Sequence, residues 1–349
     1  MLDMNIGIVT VHDSANFGSF LQAFALKTAL EDMGHNVYFV QTRNRKATFK
    51  VFVKRDRNIK RLIYNIKKYK IFMNELSQFK EIELSKITKD TLDLLVIGSD
   101  ELWNVNTPTF RNEYFYGIGI PTQKKITYAI SCGNATEENL KKYPNLIKGI
   151  KNLNKIFTRD ELTRNNLKGI LGIDCDFTCD PTFLVDINRM KKNYKLTFNN
   201  PYILIYSYNF SDKQKQYICR FAKENNLKIV SAGLYNTWCD INVNCSALDF
   251  SSVISNAKYI ITTTFHGTIF SILNKGQFIT FESSPKVQDV LDRTNLSDRI
   301  IHNNESYEEF KNKLMGKIDF KTAHENILAM RKKSLEVLKD ELEENVHQS

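Results

Sequence analysis

The chain has 349 residues, 42% of them hydrophobic, and a formal net charge of +10. That length can bury more than one sizeable core, so two domains are expected. With no run of eighteen apolar residues, a membrane-spanning helix is excluded, and the scattered Cys132, Cys175, Cys179, Cys219, Cys239 and Cys245 exclude a zinc or disulfide framework.

Those six thiols read as buried cysteines of a reduced cytosol. The start, Met1-Leu-Asp-Met-Asn-Ile-Gly-Ile-Val-Thr, runs straight into a strand without a basic leader or cleavage site, which argues for a cytoplasmic protein. The positive charge is local. Twelve of the 49 Lys and Arg, but only Asp56 of the 39 acidic residues, lie between Arg43 and Lys70.

Taken in order, Ile6–Val11 reads as a strand and Ser19–Met33 as a helix, with Phe20, Leu21, Phe24, Leu30 and Met33 on one face and Gly34 ending it. Val37–Gln41 is the next strand. The basic stretch follows, and from about residue 58 to 80 Ile59, Leu62, Ile63, Ile66, Tyr69, Phe72, Met73, Leu76 and Phe79 recur at helical spacing. A basic amphipathic helix suits peripheral contact with the inner membrane surface or a lipid-diphosphate acceptor. It suits better still a helix packed on its own domain with lysines in water. Nucleic acid is not expected, because the aromatics follow the apolar stripe and do not alternate with basic residues.

Strands are then expected at Leu92–Gly98, Ile126–Ser131 and Ile156–Thr158, with a helical pattern over Glu137–Leu153 broken at Pro144, and Cys175–Phe183 closes the half. The polar stretch Asn188–Asn200 before Pro201 reads as a linker. Beyond it, strands at Tyr202–Tyr208, Lys228–Ala232, Tyr259–Thr263 and Phe278–Phe281 alternate with helices near Asp212–Glu224, Asp249–Asn256, Thr268–Asn274 and Lys286–Thr294. Thr322–Val346 is a charged amphipathic helix that packs back across the domains. The expected architecture is α/β: two Rossmann-like domains, residues 1–186 and 187–321, face a cleft, and residues 322–349 form the closing helix. Ligands bind such a pair at the carboxyl ends of the strands.

Four strand-end motifs would converge there. Asn16-Phe-Gly-Ser, with Gly18, opens a helix whose N–H groups can accept an anionic or sugar group. Gly98-Ser-Asp-Glu-Leu-Trp-Asn offers Ser99, Asp100 and Trp103 for sugar recognition, or simply a capped helix start with a half-buried Trp. Thr158-Arg-Asp places Arg159 where a guanidinium could grip an anion, or pair with Asp160 or Glu161. Thr263-Thr-Phe-His-Gly-Thr puts His266 at a strand-to-helix turn, where an imidazole can move a proton near neutral pH or merely cap the helix. No His/Asp cluster has metal-ligand spacing.

Together with Val96-Ile-Gly-Ser-Asp-Glu-Leu-Trp-Asn, Tyr128-Ala-Ile-Ser-Cys-Gly and Cys179-Asp-Pro-Thr, these pieces resemble the polysaccharide pyruvyltransferase family over about Asn5 to Arg299. The resemblance implies a glycosyltransferase-B-like fold and transfer of pyruvate from phosphoenolpyruvate to two hydroxyls of one sugar. Phosphoenolpyruvate is then a co-substrate, no resident cofactor is expected, and the acceptor is a sugar or lipid-linked oligosaccharide of a cell-surface polymer. It further implies His266 and Asp100 as catalytic groups, and Arg159, Thr264, Phe265, Gly267, Thr268 and Arg299 around the donor. Asn16, Gly18, Ser99 and Trp103 would hold the acceptor. Several members carry an arginine two residues before the motif histidine. Here that place is Thr264, so another cation, among Arg159, Arg293, Arg299 and Lys286, must take over, or the donor differs. A nucleotide-sugar glycosyltransferase, with Glu282 on the ribose, is the competing reading, and a binding protein that lost catalysis is a third.

Overall fold

A computed structural model describes residues 3–42, 58–172 and 174–346; the basic residues between 43 and 57 lie outside the described residues. Runs such as Leu94-Leu-Val-Ile and Tyr202-Ile-Leu-Ile-Tyr are buried throughout, the pattern of strands covered on both faces, and they form two wholly parallel main sheets. In the first, β1 (Asn5–Val9), β2 (Asn36–Gln41), β3 (Glu81–Glu83), β4 (Leu94–Ile97) and β5 (Lys125–Thr127) take the order β3-β2-β1-β4-β5. Bridges Ile126–Lys155 and Ile130–Thr158 continue that edge toward β6 (Phe157–Thr158) and β7 (Asp176–Phe177). In the second, β8 (Tyr202–Tyr206), β9 (Lys228–Ala232), β10 (Ile241–Val243), β11 (Tyr259–Thr262), β12 (Phe278–Phe281) and β13 (Ile300–Ile301) take the order β10-β9-β8-β11-β12-β13.

Both orders reverse beside their first strand. Ile6 pairs with Val37 on one side and Leu94 on the other, as Ile205 pairs with Ser231 and Ile261. A crevice opens beyond the carboxyl ends at each such switch point. The helices that matter for it are α1 (Phe17–Asp32), α2 (Ile59–Glu75), α3 (Glu161–Leu171), α4 (Ala247–Ser255), α5 (Phe265–Leu273), α6 (Pro285–Arg293) and α7 (Phe320–Val346). Two Rossmann-like domains facing a cleft are thus present. β10, β13 and the helix Tyr307–Met315 were not legible in the periodicity, the two strands being three and two residues long.

α2 ties the domains together. Its Tyr64 Oη donates to Val243 O at 2.9 Å, and Asn244 Nδ2 donates to Tyr64 O at 2.7 Å. The buried Glu75 carboxylate accepts the N–H groups of Ala247 (2.9 Å) and Leu248 (3.2 Å), which covers the positive end of α4 in the other domain. α7 crosses back to the first domain, as expected. Ser334 Oγ accepts the N–H of Cys179 at 2.9 Å, and Arg331 Nη2 donates to Val185 O at 3.1 Å. The thiols depart from expectation in part: Cys219 is exposed and Cys239 half-buried, and the other four are buried.

Candidate functional site

A crevice of about 380 Å³ lies between the two switch points. The first domain contributes Asn16, Ser19, Asp100, Glu101, Asn104, Gly133 and Asn134. The second contributes Tyr206, Tyr208, Thr263 to His266, Ser283, Ser284 and Lys286. Asn16 caps α1, its Oδ1 accepting Gly18 N–H at 2.8 Å and Ser19 N–H at 3.3 Å, while its Nδ2 donates across the mouth to Tyr208 Oη. Ser19 Oγ donates to Asp100 Oδ2 at 2.9 Å, and Asp100 Oδ1 accepts Glu101 N–H at 2.9 Å. The Gly-Ser-Asp turn carries left-handed backbone at Gly98 (φ +118°) and Asp100 (φ +86°); a Cβ on Gly98 would lie 2.4 Å from Tyr128 O. That turn points the Asp100 carboxylate into the crevice.

α5 begins at Phe265, earlier than the spacing predicts, because Thr264 Oγ1 accepts Gly267 N–H at 3.0 Å and caps the helix. His266 therefore sits inside the first turn. Thr264 thus caps the helix from the crevice wall. Gly267 N–H is already bonded to it, and Thr268 is buried with its hydroxyl donating to Thr264 O at 3.0 Å. Neither Gly267 nor Thr268 is open to a donor, contrary to expectation. The N–H groups of Phe265 and His266, at the first positions of α5, precede its first i−4 hydrogen bond.

Behind His266 lies a buried carboxylate that the site residues named from sequence left out. Asp180 Oδ2 stands 3.6 Å from His266 Nε2 and accepts from Arg159 Nη1 at 2.8 Å, while its Oδ1 accepts Thr182 N–H at 3.1 Å and Thr182 Oγ1 at 2.7 Å. Burial pushes the Asp180 carboxyl upward, but the His266 ring, Arg159 and Thr182 outweigh it and hold it well below the usual carboxylate range. His266 lines the crevice, but its side chain is only 11% exposed and its Nε2 is buried on the Asp180 side. Its Nδ1 lies against Gly18, where an added Cβ would come within 2.3 Å. Gly18 is thus the floor under the imidazole and not an acceptor ligand.

Five more expectations need correction. Arg159 has a side chain only 1% exposed, bound to Asp180 and, at 3.3 Å, to Ser99 Oγ, with Asp100 Oδ1 3.6 Å away; it organises the carboxylates from behind and does not reach a donor. Ser99 is buried with it. Trp103 is fully buried, stacked on Tyr116 at 5.9 Å and donating Nε1–H to Phe115 O at 2.8 Å, so no sugar can stack on it. Arg299 is buried away from the crevice, donating to Lys313 O at 2.8 Å and pairing with Asp298. Arg293 is taken up by Asp289 (2.8 Å) and lies over Phe177.

The cation that does face the gap is Lys286, at the start of α6. It contacts Glu101 from the opposite domain, and its Nζ lies 5.5 Å from the centre of the Phe265 ring, whose other neighbour is Arg159 at 4.5 Å. Burial draws the Lys286 ammonium down to about 8, against the opposing pull of Asp100. Tyr208, Ser283 and Ser284 also line the crevice without having been singled out. Glu282 pairs with His302 at 3.2 Å near the rim. Among the described residues no three His, Cys, Asp or Glu side chains are grouped as a metal site requires.

Residues 16–285 match the polysaccharide pyruvyl transferase family. No curated protein matches the chain. Among solved structures it is similar to a UDP-GlcNAc 2-epimerase from Methanocaldococcus jannaschii, with TM-score 0.57 and 12% identity over 97% of this chain and 99% of that one. It is also similar to the S. aureus protein MnaA solved with UDP (TM-score 0.54, 12% identity, 93% and 90% covered). An alpha-glucosyltransferase in complex with UDP aligns at TM-score 0.51 and 11% identity, covering 96% and 95%. At these identities the likeness is one of fold.

Proposed function

Since the chain belongs to the polysaccharide pyruvyl transferase family, we propose that it moves the three-carbon unit of phosphoenolpyruvate onto two hydroxyls of one sugar in a cell-surface polymer or its precursor. The observation that carries this reading is the placing, across one crevice, of an imidazole backed by a buried carboxylate and the lysine Lys286 of the crevice wall. The donor brings a carboxylate and a phosphate. Lys286, with the first N–H groups of α5, supplies the positive charge that the arginine position, here Thr264, does not.

The steps balance. His266 as imidazolium delivers a proton to the methylene carbon, and the carbon bearing the phosphate becomes an oxocarbenium centre stabilised by the anions around it. A sugar hydroxyl attacks that carbon and passes its proton to Asp100 or back to the imidazole. Phosphate then leaves, taking the carbon–oxygen bonding pair, and the second hydroxyl closes the ketal with its proton going to phosphate. Asp180 stands 3.6 Å from Nε2 and backs that ring edge, the position a buried Asp takes behind a catalytic His. Asn16, Ser19 and Tyr208 stand on the acceptor side.

The test is mass spectrometry of glycans incubated with enzyme and phosphoenolpyruvate, read together with phosphate release. Addition of a pyruvyl ketal, lost by about 10²- to 10⁴-fold in His266→Ala, is the expected result. Glycosyl transfer from a UDP- or GDP-sugar, with no phosphate released from phosphoenolpyruvate, would replace this reading with the glycosyltransferase one.

A further inference from the structure

α2 presents two faces that do different things. Tyr64, Phe72 and Glu75 are buried and pin the helix against the second domain. The opposite face carries Ile59, Ile63 and Ile66, 71%, 50% and 39% exposed, at the i, i+4, i+7 spacing that aligns them in one stripe. Among the described residues only six large hydrophobic side chains are exposed, and half of them are on this single face. Lys60, Lys67 and Lys70 are exposed beside the stripe, and none makes an ion pair among the described residues. An apolar ridge with a basic margin, held rigidly outward, is the inverse of a helix that packs its apolar face inward.

We propose that this face seats the protein on an anionic phospholipid bilayer. The inference stands apart from the reaction proposed above. Isoleucines entering the acyl boundary and lysines meeting anionic headgroups satisfy both halves of the face at once. A second copy of the chain with the helices antiparallel would not, since that isologous contact sets each lysine margin against its own like charge. The helix cannot turn the stripe inward, because Glu75 caps α4 and Tyr64 is bonded on both sides. The inward face of the same helix reaches the second domain near the first turn of α1: Lys68 donates to Gly233 O and lies over Phe17, the residue after Asn16.

The experiment is co-sedimentation of the full chain with vesicles of phosphatidylcholine alone and of phosphatidylcholine mixed with phosphatidylglycerol, at low and high salt. Binding is expected on the mixed vesicles, reduced at least about tenfold by high salt or by removal of the anionic lipid. The triple changes Ile59→Asn/Ile63→Asn/Ile66→Asn and Lys60→Gln/Lys67→Gln/Lys70→Gln should each reduce it by a similar factor, with melting unchanged because the six residues are exposed. Ile63→Trp should shift its emission to shorter wavelength on the same vesicles. No binding to anionic vesicles, or binding that survives both triple changes, overturns the proposal. So does a dimer that the isoleucine changes dissociate in sedimentation velocity.

Discussion

Replacing Asp180 by Asn tests the centre of the site, because it removes a charge while keeping the shape. The Asp180–Arg159 contact is 2.8 Å between two side chains each 1% exposed. At an effective dielectric of about 20, two unit charges at that separation attract by roughly 6 kcal/mol. Part of that gain is offset by desolvation, and breaking one partner of such a pair costs about 3–5 kcal/mol, because the buried Arg159 loses its 2.8 Å anion and keeps only Asp100 at 3.6 Å. For a 349-residue chain unfolding with an entropy of roughly 2.1 cal/mol/K per residue, this is a fall in Tm of about 4–7 °C. Turnover should fall further than stability implies, by at least about 10²-fold at a temperature where the variant is fully folded, because the imidazolium loses the anion 3.6 Å from Nε2. Differential scanning calorimetry and phosphate release on the same preparation read both effects. A variant that melts within a degree of the parent and keeps a third of its turnover would refute the argument that Asp180 holds Arg159 and His266 in place.

Gly18→Ala puts a methyl group 2.3 Å from His266 Nδ1, so the ring must move; helix propensity favours Ala by about 1 kcal/mol, and the expected result is a more than tenfold loss of turnover in a protein that melts no earlier. Lys286→Met should raise KM for an anionic donor about 10- to 100-fold, the worth of one charge-assisted hydrogen bond, with a smaller effect on acceptor KM. The Lys286 ammonium is lowered from 10.5 to about 8, so between those values the unfolded chain holds more protons than the folded one. Stability should therefore rise with pH across that window while donor KM worsens, and Lys286→Arg should remove the KM trend; a flat donor KM from neutral pH upward would count against Lys286 as the donor cation. Trp103→Phe loses the bond to Phe115 O and should lower stability by about 1–3 kcal/mol with acceptor KM unchanged, read by melting and initial rates.

The alternation of buried β-branched runs with helical spacing made both sheets and the crevice legible, and it placed Asn16, Asp100 and His266 at strand ends that do converge. What it could not supply was depth. A Trp three residues past an Asp looks the same on paper whether its ring faces solvent or, as here, stacks on Tyr116 in the core. Arg159 likewise sits at the predicted strand end, but its partner Asp180 is 21 residues away and turns it inward. Asp180 itself lies in Cys179-Asp-Pro-Thr, a motif visible in the sequence, yet no local spacing reveals that its carboxylate meets a histidine 86 positions on. Thr264 gave the opposite lesson: a residue noted for a missing charge proved to be the cap that sets where α5 starts.

The bond from Glu75 to the amides of Ala247 and Leu248 has a mechanical corollary. Paired enzymes of this shape are commonly pictured as jaws that swing apart to load and shut to react. Here any swing that parts the lobes at α2 strips a carboxylate from two amides and leaves it stranded in an apolar seam. Loading is therefore expected to proceed by small shifts of the rims around Tyr208 and Ser283, with the seam at α2 acting as the fixed pivot.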